Sequence, residues 1–119
     1  MSREDDIIKS SGYRIGPEEI EVTLAAHPAV SEVGVIGVPD EVRGQIAKAF
    51  VVLKADQTLS PEELLAFCKG KIATYKLPRE IVIVGELPRT PTGKLLRRVL
   101  KQREPGAPQP GAPVKTGTG

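Results

Sequence analysis

Two runs decide the fold: Val30-Ser31-Glu32-Val33-Gly34-Val35-Ile36-Gly37-Val38 and, after a short loop, Ala47-Lys48-Ala49-Phe50-Val51-Val52-Leu53. The first is β-branched and broken only by small or polar residues, so it reads as a strand. The second is apolar enough to be a strand buried on both faces. Pro39-Asp40 and Arg43-Gly44 mark the loop between them.

Toward the N-terminus, Ile7-Ile8-Lys9, Ser10-Ser11-Gly12 and Tyr13-Arg14-Ile15 read as a short hairpin with a Gly-containing turn. Gly16-Pro17-Glu18-Glu19 then opens a helix. Pro17 suits its first position, and the acidic residues suit the positive end of its dipole. Ile20 and Leu24 lie one turn apart, and His27-Pro28 ends the element. Toward the C-terminus, Ser60-Pro61-Glu62-Glu63 has the form of a capping box, and Leu64, Leu65, Cys68 and Ile72 continue it as an amphipathic stripe. Lys76-Leu77-Pro78 breaks the chain before a strand over Ile81–Val84. Leu95, Leu96, Val99 and Leu100 stripe a last helix whose other face is basic. The order hairpin, helix, strand, strand, helix, strand, helix predicts an α+β fold: an N-terminal β-hairpin and a short, mostly three-stranded sheet flanked by helices.

A length of 119 residues allows one domain, and 39% hydrophobic with 27% charged residues suits a globular one. The last sixteen residues hold four Pro and four Gly and have little to bury, so the folded unit is predicted over 1–103 and a disordered linker over 104–119. Aromatic residues make up only 3%, with no Trp, which argues against a cage of stacking rings. No apolar run approaches the ~20 residues that span a bilayer. A single cysteine excludes an internal disulfide and cannot alone form a structural zinc site, so no metal ligands are expected. Cys68 reads as a small core residue rather than a nucleophile, because the one histidine, His27, has no evident reason to sit beside it. The acidic start, Met1 to Asp6, is unlike a signal peptide, and with the lone cysteine it leads to a cytoplasmic expectation.

The net charge of +2 is unevenly placed. Residues 85–103 carry Arg89, Lys94, Arg97, Arg98, Lys101 and Arg103 against Glu86 alone, whereas residues 1–84 hold ten basic and thirteen acidic side chains. A basic end on an acidic body suggests an anionic partner there, or simply a solvated face. Within that stretch, Pro88-Arg89-Thr90-Pro91-Thr92-Gly93-Lys94 makes an exposed loop that presents a lysine. It is not a phosphate-binding P-loop: that motif needs Gly where Pro88 stands and Ser or Thr where Leu95 stands.

The segment Arg3-Glu4-Asp5-Asp6-Ile7-Ile8-Lys9-Ser10-Ser11-Gly12-Tyr13-Arg14-Ile15-Gly16-Pro17, with Glu19-Ile20-Glu21 after it, resembles the hinge motif of the adenylate-forming enzymes. That superfamily includes acyl-CoA synthetases, peptide-synthetase adenylation domains and firefly luciferase. Pro88 to Lys94 resembles its final motif, with Arg97 and Arg98 following as in many members. His27-Pro28-Ala29-Val30 and the Val38-Pro39-Asp40 and Arg43-Gly44 loop are similar too, so the resemblance covers about residues 2–103. The wording around Lys9 to Pro17 is nearest to acetyl- and medium-chain acyl-CoA synthetases. The departure is large: those enzymes carry a much bigger N-terminal domain before the hinge, and Ser2 replaces the usual Gly or Asp.

The resemblance implies an AMP-forming acid–CoA ligase of fatty acid metabolism, with this chain as its C-terminal lid. Carboxylate and ATP would give acyl-adenylate and pyrophosphate, and the CoA thiol would then displace AMP. Lys94 matches the adenylation lysine, Asp5 the hinge about which the lid rotates, and Arg3 and Arg14 arginines near the nucleotide. Gly12 matches the glycine beside the CoA arm. Lys9 and Lys69 match basic residues offered in the thioester-forming pose. ATP and CoA are implied as substrates, Mg2+ as the companion of ATP, and the absent N-terminal domain as partner. The isolated domain is expected to hold no cofactor and to be inactive. A competing reading from charge alone is a stand-alone nucleic-acid/anion-binding or regulatory module that uses the basic C-terminal helix. Nucleic acid is not expected as a partner, because the basic helix lacks stacking aromatics and a base-reading motif.

Overall fold

The computed structural model describes residues 6–102, so Arg3, Asp5 and the Pro/Gly-rich tail lie outside the described residues. The hairpin forms as β1 (Ile8–Ser10) and β2 (Tyr13–Ile15), followed by α1 (Pro17–Ala25), β3 (Val30–Asp40) and β4 (Gly44–Leu53). Then come α2 (Pro61–Cys68), a 3-10 turn (Thr74–Lys76), β5 (Glu80–Ile83) and α3 (Arg97–Gln102). Register Ser10↔Tyr13 leaves Ser11 and Gly12 as a two-residue turn, with φ of 53° and 85°. Positive φ at both central positions matches the right-handed twist of the flanking strands.

β4 is the centre of the sheet. β3 pairs antiparallel along one side of it, from Val30↔Leu53 to Asp40↔Gly44. On its other side β5 pairs in parallel, from Lys48↔Glu80 to Val51↔Ile83, with α2 in the crossover that a parallel pair requires. β1 joins at Ser10↔Gly44, so the expected three-stranded sheet continues through the hairpin into five strands. β3 and β4 run closer to their loop than the apolar runs indicated. The Asp40 carboxylate accepts from Val42 N–H (3.1 Å) and Arg43 N–H (2.8 Å), which closes the turn tightly.

Side chains alternate across the sheet and build two cores. On the first face Val33, Val35, Ala47, Ala49 and Val51 pack with Ile8, Ile15, Ile20, Leu24, Leu64 and Cys68. On the second face Ile36, Val38, Ile46 and Phe50 pack with Leu87 and Leu100, and Leu95 lies against them. Cys68 is fully buried in the first core, and burial pushes its thiol above the usual range, as suits a core residue. The capping box is made in full: Glu63 N–H donates to Ser60 Oγ (3.1 Å) and Ser60 N–H to Glu63 Oε1 (2.8 Å). Leu64→Ala should therefore lower stability by about 2–5 kcal/mol through the cavity left in a filled core. In a domain of this size that lowers Tm by roughly 10 °C or more, readable by circular dichroism. A change of only a degree or two would show that α2 is not seated on the sheet.

Two helices are shorter than the sequence predicts. α2 ends at Cys68 because Lys69 is already extended, at φ −63° and ψ 131°, and Ile72 lies beyond the helix. Leu95 pairs with Arg89 in an isolated bridge, so α3 begins only at Arg97.

Candidate functional site

Lys94 sits on a folded turn. Gly93 N–H donates to the Thr90 carbonyl (2.8 Å) and Thr90 N–H to the Lys94 carbonyl (2.8 Å), with Pro91 at the second position. Gly93 takes φ 94°, which ordinary side chains resist, and this lets a three-residue connection reverse the chain. Thr90 Oγ1 accepts from Lys94 N–H (3.0 Å). The Arg89 guanidinium spans outward from the turn, donating to the Gly93 carbonyl (2.7 Å) and to Glu32 Oε1 on β3 (2.7 Å). The backbone under Lys94 is thus fixed at several points. Its exposed side chain makes no hydrogen bond or ion pair among the described residues.

The hairpin presents the second group. Lys9 and Arg14 are exposed register partners on one face. Gly12 is at the tip, and a Cβ built there meets nothing within 4 Å, so the room around it is open within this chain. The tip is anchored where Ser11 N–H donates to the Arg43 carbonyl (2.9 Å) and Lys9 N–H to Gln45 Oε1 (2.8 Å).

Beside the hairpin lies a groove of about 420 Å³ whose lining includes Ser11, Tyr13, Arg43, Thr74, Tyr75 and Arg79. The Tyr13 and Tyr75 rings stack with centroids 4.1 Å apart. Composition argued against a cage of rings; the fold nonetheless makes a stacked pair from residues 62 positions apart. Arg43, Arg79 and this pair were not read from the sequence as site residues, although Arg43 lies in a loop that carried the resemblance. Lys69 is exposed just after α2 but does not line the groove. Its neighbour Lys71 sits over the Phe67 ring at 4.1 Å.

The two groups occupy opposite ends of β3. The Lys94 turn is tied to Glu32, and the hairpin tip to the turn that follows Asp40. Eight residue-to-residue steps of strand separate Glu32 from Asp40, roughly 27 Å. The basic stretch is also less uniform than its charges suggest. Arg97 points inward to Glu21, whose carboxyl burial pushes above its usual range, against the opposing pull of the Val35 N–H and Arg97. Among the described residues no three His, Cys, Asp or Glu side chains converge to hold a metal ion.

The chain belongs to the family of AMP-binding enzyme C-terminal domains, whose model matches residues 19–94. It is 54% identical over 110 residues to the human mitochondrial acyl-coenzyme A synthetase ACSM2B, covering 87% of this chain and 19% of that protein. It is 47% identical over 111 residues to human mitochondrial ACSM1, covering 89% and 19%. Among solved structures it is similar to a Mycobacterium tuberculosis fatty acyl CoA synthetase, with TM-score 0.81, 41% identity, and coverage of 86% of this chain and 20% of that one. The chain thus spans about a fifth of the length of the relatives it matches. Both human relatives are mitochondrial by name, which overturns the cytoplasmic expectation. That expectation rested on Met1 to Asp6 and the lone cysteine; in proteins so much longer the start of this segment carries no information about a leader, and one buried cysteine does not distinguish compartments.

Proposed function

We propose that this chain is the lid of an AMP-forming acid–CoA ligase and serves its two half-reactions with opposite ends. The observation that carries this reading is the separation along β3: one end holds a lysine on a rigid turn, the other a glycine-tipped hairpin beside a cationic groove. One active site can use both only if the domain turns between steps, which one or two hinge torsions achieve. Asp5 is the proposed hinge. In the first pose Lys94 brings a compact charge on a long stem to the carboxylate and the α-phosphate, neutralising charge that develops as they react. Arg3 lies beside the nucleotide in that pose, whereas Arg14, on the hairpin end with Lys9, approaches phosphate when the lid has turned. In the second pose the Gly12 tip borders the arm of CoA, with Lys9 nearby. Arg43 and Arg79 supply cations for the phosphates of CoA in the groove, and Lys69 adds a further charge outside it. ATP, CoA and a carboxylic acid are the substrates, Mg2+ is the companion of ATP, and the larger N-terminal domain is the partner.

The ion pairs of Arg89 and Arg97 weigh against the module that would bind nucleic acid through a continuous basic face. The groove is tested by Arg43→Ala in the full-length enzyme. Hydrogen bonds to charged groups contribute about 1.5–3 kcal/mol, so KM for CoA should rise about tenfold or more while KM for ATP stays unchanged. A rise in KM for ATP alone would move the groove to the first pose and refute this part of the reading.

A further inference from the structure

Arg97 opens α3, three residues beyond Lys94, yet its side chain is only 14% exposed. Its Nη2 donates to Glu21 Oε1 (2.7 Å), and its Nε donates to Glu21 Oε2 and to the Val35 carbonyl (both 3.2 Å). Its Nη1 lies 3.7 Å from Asp6 Oδ2. Glu21 belongs to α1, on the first face of the sheet, whereas α3 packs on the second. The pair therefore closes around the edge formed by β3. Glu21 Oε2 also accepts from Val35 N–H (2.9 Å), so the ion pair satisfies both the N–H and the carbonyl of Val35. An edge strand otherwise presents such groups unpaired.

Stability alone is a poor reason for this arrangement, because desolvating two charges offsets much of their attraction. What a bidentate arginine adds is a fixed geometry. Here it joins three things: the helix that starts beside Lys94, the helix α1, and Asp6, which adjoins Asp5.

We propose that Arg97 is a positioning residue that fixes the Lys94 turn to the hinge-proximal segment through Glu21 and Asp6, so that turn and segment move as one rigid piece. The proposal rests on the reading of Lys94 as the adenylation lysine. Without the clasp, Lys94 keeps its charge but loses its register with the hinge.

The test uses the full-length enzyme with Arg97→Met, Arg97→Lys, the exchanged pair Arg97→Glu with Glu21→Arg, and Lys94→Ala. Pyrophosphate release from carboxylate and ATP is measured separately from acyl-CoA formation from supplied acyl-adenylate. Arg97→Met should lower kcat for adenylation roughly ten- to a hundredfold, the loss that a displacement of about 1 Å produces. KM for ATP and the thioester step should change little. Arg97→Lys keeps the charge without the planar fork, so it should fall between Arg97→Met and the parent enzyme. The exchanged pair should recover more than either of its single substitutions. Melting curves identify any variant that does not fold, and Arg97→Lys and Glu21→Gln then carry the comparison. Equal slowing of both half-reactions overturns the proposal, as does full adenylation in Arg97→Met where Lys94→Ala has lost it. Full adenylation in Lys94→Ala overturns the underlying reading of Lys94, and the proposal falls with it.

Discussion

Lys94→Ala in the full-length enzyme should lower pyrophosphate release from carboxylate and ATP by ~10²–10³-fold, the usual consequence of removing one positioned charge from a site shielded from water. Acyl-CoA formation from supplied acyl-adenylate should stay close to that of the parent enzyme, because in the proposed second pose the turn stands away from the attacking thiol. The substitution is a clean one. The turn is held by backbone groups, Thr90 Oγ1 and the Arg89 guanidinium, none of which needs the Lys94 side chain. Melting should accordingly shift by no more than the ~0.5 kcal/mol typical of surface changes. If both half-reactions slowed equally, Lys94 would be a structural residue and the two poses would have no support.

Gly12→Leu should show the reverse pattern: adenylation retained and thioester formation reduced about a hundredfold, as expected when the CoA arm is displaced by about an ångström. Gly12→Ala separates backbone from bulk. Any side chain at φ 85° is strained, by roughly 1–2 kcal/mol, so both variants should melt slightly below the parent. Within this chain a Cβ at Gly12 meets nothing within 4 Å, so added size meets no resistance from the domain itself. A thioester step much slower in the leucine variant than in the alanine one therefore reports on what the tip faces in the second pose. Equal losses in the two would reduce the role of Gly12 to turn geometry.

The parts of the fold legible in the sequence are those in which neighbours in the chain determine the outcome. β-Branched runs gave β3 and β4, Ser60 to Glu63 gave the start of α2, and the spacing around Gly12 gave the hairpin. The ends of α2 and α3 were misplaced for a local reason of another kind. Lys69 turns extended and Leu95 pairs backward with Arg89, and an apolar stripe is blind to either event. The site divides the same way. Lys94 and Gly12 lie in compact motifs and could be picked out. The groove could not, because Tyr13 meets Tyr75 only after the hairpin has docked on β4, and Arg43 comes near Arg79 only after β5 has paired with β4. Arg97 was counted with a basic helix face, since sequence alone does not distinguish a guanidinium in water from one aimed at a carboxylate 76 residues earlier.

The two cores on opposite sides of the sheet draw on different parts of the chain. The first gathers the hairpin, α1 and α2, while the second is closed by Val84, Leu87, Leu95 and Leu100 from the last twenty described residues. Peeling that final segment away exposes one apolar layer and leaves the other intact, so it opens at a smaller free energy than global unfolding. The lysine turn thus rests on the layer that opens at the lower free energy, and Arg89 to Glu32 and Arg97 to Glu21 are the ion pairs that hold it to the body. A lid built this way can yield at its working end and re-form there without the whole domain passing through the unfolded state.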